Sequence, residues 1–238
     1  MTMKNIYQNM YDNQKNLGNL AENPRVKIML SMIDKLDLQN KNILDIGCYD
    51  GTFLSLIKNQ NNNFYGLETS DWGVEKTQEK GINVQRYFFD GENRLPFPDN
   101  FFNAVVAGEI IEHIFDTEFF LEEIKRILKP GGRIVISTPN VASLGRRLLL
   151  LFGINPIIEI SPNQADSSGH IRYFTAGSLS QLLKKHSFRI VEYKSDCINF
   201  SKNGEIKSII IAKLFPFLGA SIIIMAGKMN DKILIKNT

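Results

Sequence analysis

In the stretch NILDIGCYDG, residues 42–51, a short apolar run is followed by an acid at Asp45 and by glycines at Gly47 and Gly51. Glycines let a backbone turn tightly and approach a ligand where a side chain would collide. A carboxylate at a strand tip can accept hydrogen bonds from a ligand amine or from the amides of its own loop. Cys48, Tyr49 and Asp50 complete the loop. A second run, NFYGLE, ends at Glu68, 21 residues after Gly47, with Thr69 directly behind it. An acid at that place is set to accept from the two hydroxyls of a ribose. Together the two strand ends outline a nucleoside pocket. A third group lies in GEIIEHI, where Glu109, Glu112 and His113 stand at i, i+3 and i+4. If a helix begins near Glu109, the three share one face. His113 could then take the proton from a substrate hydroxyl, with Glu112 or Glu109 orienting its ring. His170, in GHIRYFT, is a second candidate base, or else a hydrogen-bonding residue that fastens the preceding segment to the sheet.

What the first loop lacks narrows the nucleoside. A dinucleotide fingerprint needs three glycines spaced so that a pyrophosphate can rest on a helix N-terminus. Tyr49 occupies the middle position, and acids at Asp45 and Asp50 would repel phosphates. A ligand with an amine, a carboxylate and a sulfonium, and no phosphate, fits better: S-adenosylmethionine.

These residues need a scaffold, and the chain alternates short apolar runs with helical patterns as a parallel sheet covered by helices on both faces does. Strands are expected at 42–47, 63–68, 82–88, 103–108, 133–138, 188–195 and 221–228. Helical spacing appears in GTFLSLIKN, in TEFFLEEIKRILK, which Pro130 and two glycines stop, and in AGSLSQLLKKH. His186, at the end of the last, reads as a favourable charge at a helix C-terminus. Trp72, the one tryptophan, either flanks a bound base or caps the core. The whole, residues 1–238, reads as a single α/β domain with an N-terminal helical segment, 1–40, and a lid or acceptor-covering insertion at 141–170.

Composition removes several classes. Hydrophobic residues make up 43% of the 238 and charged residues 22%, which suits a globular chain with a full core. A net charge of +3 spread along the chain does not argue for a nucleic-acid partner. Cys48 and Cys197 are far apart and outside any metal spacing, so reduced thiols in a cytoplasmic protein are expected. The polar start, MTMKNIYQNMYDNQKN, has no apolar signal core.

From about Pro24 to Lys228 the motifs, in order, resemble those of class I S-adenosylmethionine-dependent methyltransferases. ILDIGCYDG resembles the first motif of that family and YGLE the strand ending in its ribose-binding acid. FFDGENRLPFPDNFFNAVVAGEIIEHI resembles the segment in which Asp90, with the amide of Gly91, reads the adenine, and in which a strand ends beside the cofactor, at Glu109. Asp90 could equally form an Asx turn before Gly91. LKPGGRIVISTPN and GHIRYFT resemble segments of a subgroup that includes ubiquinone-type O-methyltransferases and methyltransferases of glycan and natural-product clusters. Tyr49 in place of a middle glycine, and Asn103 in place of an Asp, depart from the pattern. The resemblance implies a Rossmann-like, seven-stranded sheet with its last strand antiparallel, and O-methylation of a small-molecule, glycan or lipid-linked acceptor. Ubiquinone-type members use the GEIIEHI region with a divalent metal. Here one helix would make a poor cage, so metal-free proton transfer is the favoured arrangement.

The SLGRRLLLLFGI segment could cover an apolar acceptor, lie on a membrane as a peripheral contact, or pack against the domain or a homodimer partner. SIIIAKLFPFLGASIIIMAG is long enough to span a bilayer. Lys213, Pro216 and the glycines instead indicate a helix or turn and then a buried strand. The rival classes are a nicotinamide-dependent oxidoreductase, against which the glycine spacing speaks, and a cofactor-binding or membrane-associated protein without catalysis.

Overall fold

A computed structural model of the chain describes residues 20–57, 61–88, 93–156, 169–199 and 207–229. Its sheet runs in the order β3-β2-β1-β4-β5-β9-β6, with β1 Asn42–Ile46, β2 Asn63–Glu68, β3 Asn83–Arg86, β4 Phe102–Gly108, β5 Leu128–Pro139, β6 Phe188–Lys194 and β9 Ser221–Lys228. The first five pair in parallel, and β9 is antiparallel to both neighbours. A separate hairpin joins β7 Ile198–Asn199 to β8 Lys207–Ser208. The expected seven strands, with the last one reversed, are all present.

Helices cover both faces: α1 Pro24–Asp34, α2 Thr52–Leu56, α3 Asp71–Glu79, α4 Thr117–Ile127, α5 Leu144–Leu151, α6 Ala176–Lys185 and α7 Ile209–Leu214. The central strands read as unbroken apolar runs because alternate side chains enter two different cores. Leu44, Val105, Ile134, Ile136, Ile222 and Ile224 pack on one side with Phe120, Leu121 and Ile124 of α4 and Leu179 of α6. Ile43, Val106, Val135 and Ile223 pack on the other with Val26, Met29 and Met32 of α1. One long apolar segment, 209–227, is thereby divided into a short helix and a strand. Among the described residues no helix is long and apolar enough to cross a membrane.

Two local expectations need correction. The helix read through Lys129 ends at Ile127, and Leu128 is already extended and paired with Phe102. Lys129 precedes Pro130, whose ring disfavours helical backbone at the residue before it. Nor does an α-helix start near Glu109. The Glu109 amide still donates to the Ser137 carbonyl across the sheet, its φ is +55°, and only a single 3-10 turn, Ile111–His113, follows. Strand pairing holds the chain one residue beyond β4, so Glu109, Glu112 and His113 do not form one helical stripe.

Candidate active site

The strand order reverses between β1 and β4, and the crevice beyond such a reversal is where open α/β sheets bind ligands. Register sets Ile46 beside both Leu67 and Ala107, so Gly47, Glu68 and Gly108 meet at the rim. Asp45, Gly47, Cys48, Tyr49, Asp50, Glu68, Glu109, His113 and His170 line one cavity of about 300 Å³, with Gly108 and Ile110 beside them. Arg25, Val26, Met29 and Leu20 close it from the N-terminal side.

The loop after β1 keeps its shape despite Tyr49. Gly47 and Gly51 both have φ +74°, and Tyr49 takes +51°, the left-handed conformation that a glycine would adopt freely. The strain is held by contacts on either side: the Tyr49 amide donates to Glu68 Oε2 (2.9 Å), its carbonyl accepts from Thr77 Oγ1 (3.1 Å), and its ring lies 5.0 Å from that of Trp72. Trp72 therefore braces the loop at the cavity's edge. Gly51 starts α2, and a Cβ on it would meet Thr77 and Ile82 at 3.0–3.1 Å. Thr69 donates from its hydroxyl to the Tyr87 carbonyl, outside the cavity lining. Asp90 and Gly91 lie outside the described residues.

Asp50 is occupied by scaffold contacts, accepting from the Thr52 amide and hydroxyl and from Lys80. Burial alone would raise its carboxyl, but these partners hold it below the usual carboxylate range. The Cys48 thiol packs toward Gly66 and Thr77, and burial pushes it far up, which makes it a packing group and not a nucleophile. Glu68 accepts from the Tyr49 amide, the Ser70 amide (2.8 Å) and the Ser70 hydroxyl (2.9 Å). Burial still raises its carboxyl, and the residue lines the cavity.

Asp45 and the Nε of Arg25, both at this cavity, have no hydrogen-bond partner among the described residues. Asp45 is 5% exposed and accepts no hydrogen bond among the described residues; burial, and then the charge of Glu68, push its carboxyl well above the usual range. Arg25 Nε is buried and donates to nothing among the described residues. Arg25 was not singled out by the sequence, although Asn23 and Pro24 just before it are a helix-start signal. Asn23 Oδ1 caps α1 by accepting from the Arg25 amide (2.9 Å), which places Arg25 in the first turn over the cavity. An unpartnered buried acid and an unpartnered buried guanidinium N–H in one cavity complement a zwitterion. The amino-acid end of S-adenosylmethionine is one, so the residues present fit that cosubstrate: Asp45 for its ammonium, Arg25 for its carboxylate, Glu68 for its ribose.

At the other side of the cavity lie three further groups. The His113 and His170 rings are 4.9 Å apart, and His170 Nε2 is 3.9 Å from Glu112 Oε1. His113 Nδ1 lies 3.2 Å from the Gly169 carbonyl. Glu112 is buried beneath them. Its Oε2 accepts from Thr138 Oγ1 (2.9 Å), and its Oε1 has no hydrogen-bond partner among the described residues. Burial, and then the charge of Glu109, hold its carboxyl well above the usual range. The carbonyl of Glu112 accepts from the Ile171 and Arg172 amides, which fastens GHIRYFT to the 3-10 turn. His170 thus lines the cavity on a segment that its neighbours Ile171 and Arg172 anchor. Glu112, His113 and His170 offer donor atoms all within 4.8 Å of one another, two imidazoles and a carboxylate that would suit a first-row divalent cation. His186, by contrast, caps the end of α6 near Glu118 and Glu122.

The strand order, the glycine loop at the reversal and the acid ending β2 define a class I S-adenosylmethionine-dependent methyltransferase domain. Residues 20–193 match the profile of a family described as a methyltransferase domain, and the chain belongs to that family. It is 30% identical over 63% of its length to a probable S-adenosylmethionine-dependent methyltransferase of Mycolicibacterium smegmatis, covering 52% of that protein. It is 26% identical over 82% of its length to the O-methyltransferase resE of Aspergillus sclerotiorum, covering 68% of it. The chain spans only 25–52% of the length of the sterol methyltransferases and bacterial proteins it also matches. The structure of Burkholderia thailandensis 1,6-didemethyltoxoflavin-N1-methyltransferase, solved with S-adenosylhomocysteine bound, superposes with a TM-score of 0.63 at 13% identity, covering 95% of this chain and 87% of that one.

Proposed function

We propose that this protein transfers the methyl group of S-adenosylmethionine to an acceptor oxygen, leaving S-adenosylhomocysteine, with a small-molecule, glycan or lipid-linked acceptor. The observation that carries the reading is the pair of imidazoles, His113 and His170, on the wall of the cavity that also holds Asp45 and the unpartnered Nε of Arg25. Bound there, the cosubstrate supplies an electrophilic methyl group on a sulfonium. Asp45, Glu68 and Arg25 hold it, and the residues around the 3-10 turn prepare the acceptor.

His113 takes the hydroxyl proton in this reading. Its Nδ1–H donates to the Gly169 carbonyl, a contact that selects the tautomer with Nε2 as proton acceptor. His170 stands next to it, positioned by the anchored strand end and by Glu112. Alignment of nucleophile and methyl group supplies roughly 7–11 kcal/mol, while a general base supplies about 3–5 kcal/mol. Holding the acceptor is therefore the larger task, and it falls to the cavity wall and to the segment between β5 and α6.

The test is release of S-adenosylhomocysteine on incubation with S-adenosylmethionine and panels of phenols, glycosides and lipid-linked sugars, with and without a chelator. Methyl transfer to a hydroxyl that survives chelation supports the reading. Transfer only to nitrogen or carbon acceptors sinks the oxygen assignment. Activity abolished by chelation and restored by a divalent cation transfers Glu112, His113 and His170 from proton transfer to metal binding.

A further inference from the structure

Outside the cavity, α5 and α7 carry a set of exposed apolar side chains that no role yet accounts for. Leu151 and Phe152 at the end of α5 are each 76% exposed, Ile210 on α7 is 74% exposed, and Leu150 and Leu214 are also mostly exposed. No side chain of α5 is buried, although five of its eight residues are leucine. Both helices belong to one region of the surface, because each packs against β7 of the small hairpin; a Cβ on Gly145 would meet the Asn199 carbonyl at 3.1 Å. Asn140, just before α5, ties in the segment after α7 by donating to the Phe217 and Gly219 carbonyls.

The two helical segments themselves carry charge of one sign. Residues 141–156 and 207–220 contain Arg146, Arg147, Lys207 and Lys213 and no Asp or Glu. Exposed aliphatic and aromatic side chains with interspersed cations are what a helix lying in a lipid interface presents. We propose that the α5–α7 face docks on bilayers bearing anionic headgroups, with Leu151, Phe152 and Ile210 entering the acyl boundary and Arg147 and Lys213 meeting the phosphates. A second copy of the chain is the poorer occupant. A twofold contact sets the same patch on both partners, and here it would bring Arg147 and Lys213 toward the cations of the other copy, with Asp196 the one acid beside α7 among the described groove residues.

Vesicle co-sedimentation tests this directly and does not depend on the acceptor chemistry. The purified chain should sediment with phosphatidylcholine vesicles containing about a quarter phosphatidylglycerol, weakly with phosphatidylcholine alone, and less at high salt. Arg147→Ala with Lys213→Ala should reduce binding to the anionic vesicles roughly 30-fold. Leu151→Glu with Ile210→Glu should reduce it about 10-fold or more. S-adenosylhomocysteine affinity serves as the folding control for both pairs; the charge pair, made only at surface cations, is the second variant should the apolar pair unfold. The proposal is overturned by absence of sedimentation with anionic vesicles, or by sedimentation that neither pair alters. It is also overturned by a dimer that the apolar pair dissociates in a protein that ignores vesicles, which assigns the face to a second copy. Binding to an acidic protein in place of vesicles overturns it equally.

Discussion

Arg25 Nη1 lies 2.7 Å from Glu109 Oε2, an ion pair that ties the first turn of α1 to the end of β4 across the cofactor cavity. Glu109 also accepts from Ser137 Oγ (3.1 Å). Burial raises the Glu109 carboxyl, and the Arg25 charge opposes that rise. One guanidinium group therefore serves the scaffold through Nη1 while its buried Nε donates to nothing among the described residues.

Arg25→Ala should raise the dissociation constant of S-adenosylhomocysteine by roughly 10- to 100-fold, the worth of about 1.5–3 kcal/mol for a hydrogen bond to a charged group. Adenosine, which has no carboxylate, should bind the variant and the parent alike. Titration calorimetry with both ligands separates the two cases; an equal loss for adenosine would show that Arg25 only holds α1 in place.

Gly73→Ala reverses the usual helix arithmetic. Replacing a helical glycine by alanine ordinarily stabilises by about 1 kcal/mol. At Gly73 a Cβ would lie 2.6 Å from the Tyr49 carbonyl, 2.7 Å from Glu68 Cγ and 2.8 Å from Ser70 Oγ. Overpacking of this kind costs about 1–3 kcal/mol. Thermal denaturation should show a lower Tm, and cosubstrate affinity should fall with it because Glu68 and the Tyr49 loop are the atoms displaced.

Asp45→Asn should stabilise the unliganded protein at neutral pH while abolishing cosubstrate binding. The folded-state carboxyl is raised by burial and by Glu68. A raised acid binds its proton more tightly in the folded chain, so its contribution to stability is complete below the ordinary carboxylate range and is lost as pH rises toward the folded value. The parent's Tm should therefore drop relative to Asp45→Asn between about pH 4 and pH 7, and a saturating cosubstrate should close the gap for the parent alone. Parallel Tm curves across that range would show that Asp45 is ionised at no cost.

His113→Ala should lower methyl transfer by about 10²- to 10⁴-fold and leave S-adenosylhomocysteine affinity within a few fold. Single-turnover rates and calorimetry on the same preparation decide it. If affinity collapses together with rate, His113 supports the cavity wall and the proton goes elsewhere, with His170→Ala the next variant to measure.

The sheet and the tight glycine turn after β1 were legible in the residues because their signals are local. Strand runs such as NILDI and SIIIMAGK are continuous apolar stretches, and Gly47, Gly51 and Glu68 carry their meaning in type and spacing. Arg25 was invisible for the opposite reason. Its importance comes from α1 crossing to the end of β4, a contact over 84 residues that no periodicity encodes. The region after β4 was misread in between. Apolar spacing in GEIIEHI fits a helix, yet the hydrogen bond from the Glu109 amide to Ser137 keeps the chain in the sheet, and a tertiary pairing overrides the local pattern. The two histidines were found singly, but their adjacency follows from the Glu112 carbonyl capturing Ile171 and Arg172, which again is a long-range bond.

The antiparallel strand β9 sits between β5 and β6, so residues 221–228 complete a sheet whose other members are all translated earlier. A nascent chain that has just released β6 has nowhere in the sheet to place it, and the outer edge of β5 stays open until Lys228 leaves the ribosome. An open, apolar edge of this kind recruits other strands. The synthesis of the last thirty or so described residues is thus the interval in which this chain is most exposed to misassembly, and a chaperone that shields the β5 edge would act in that interval.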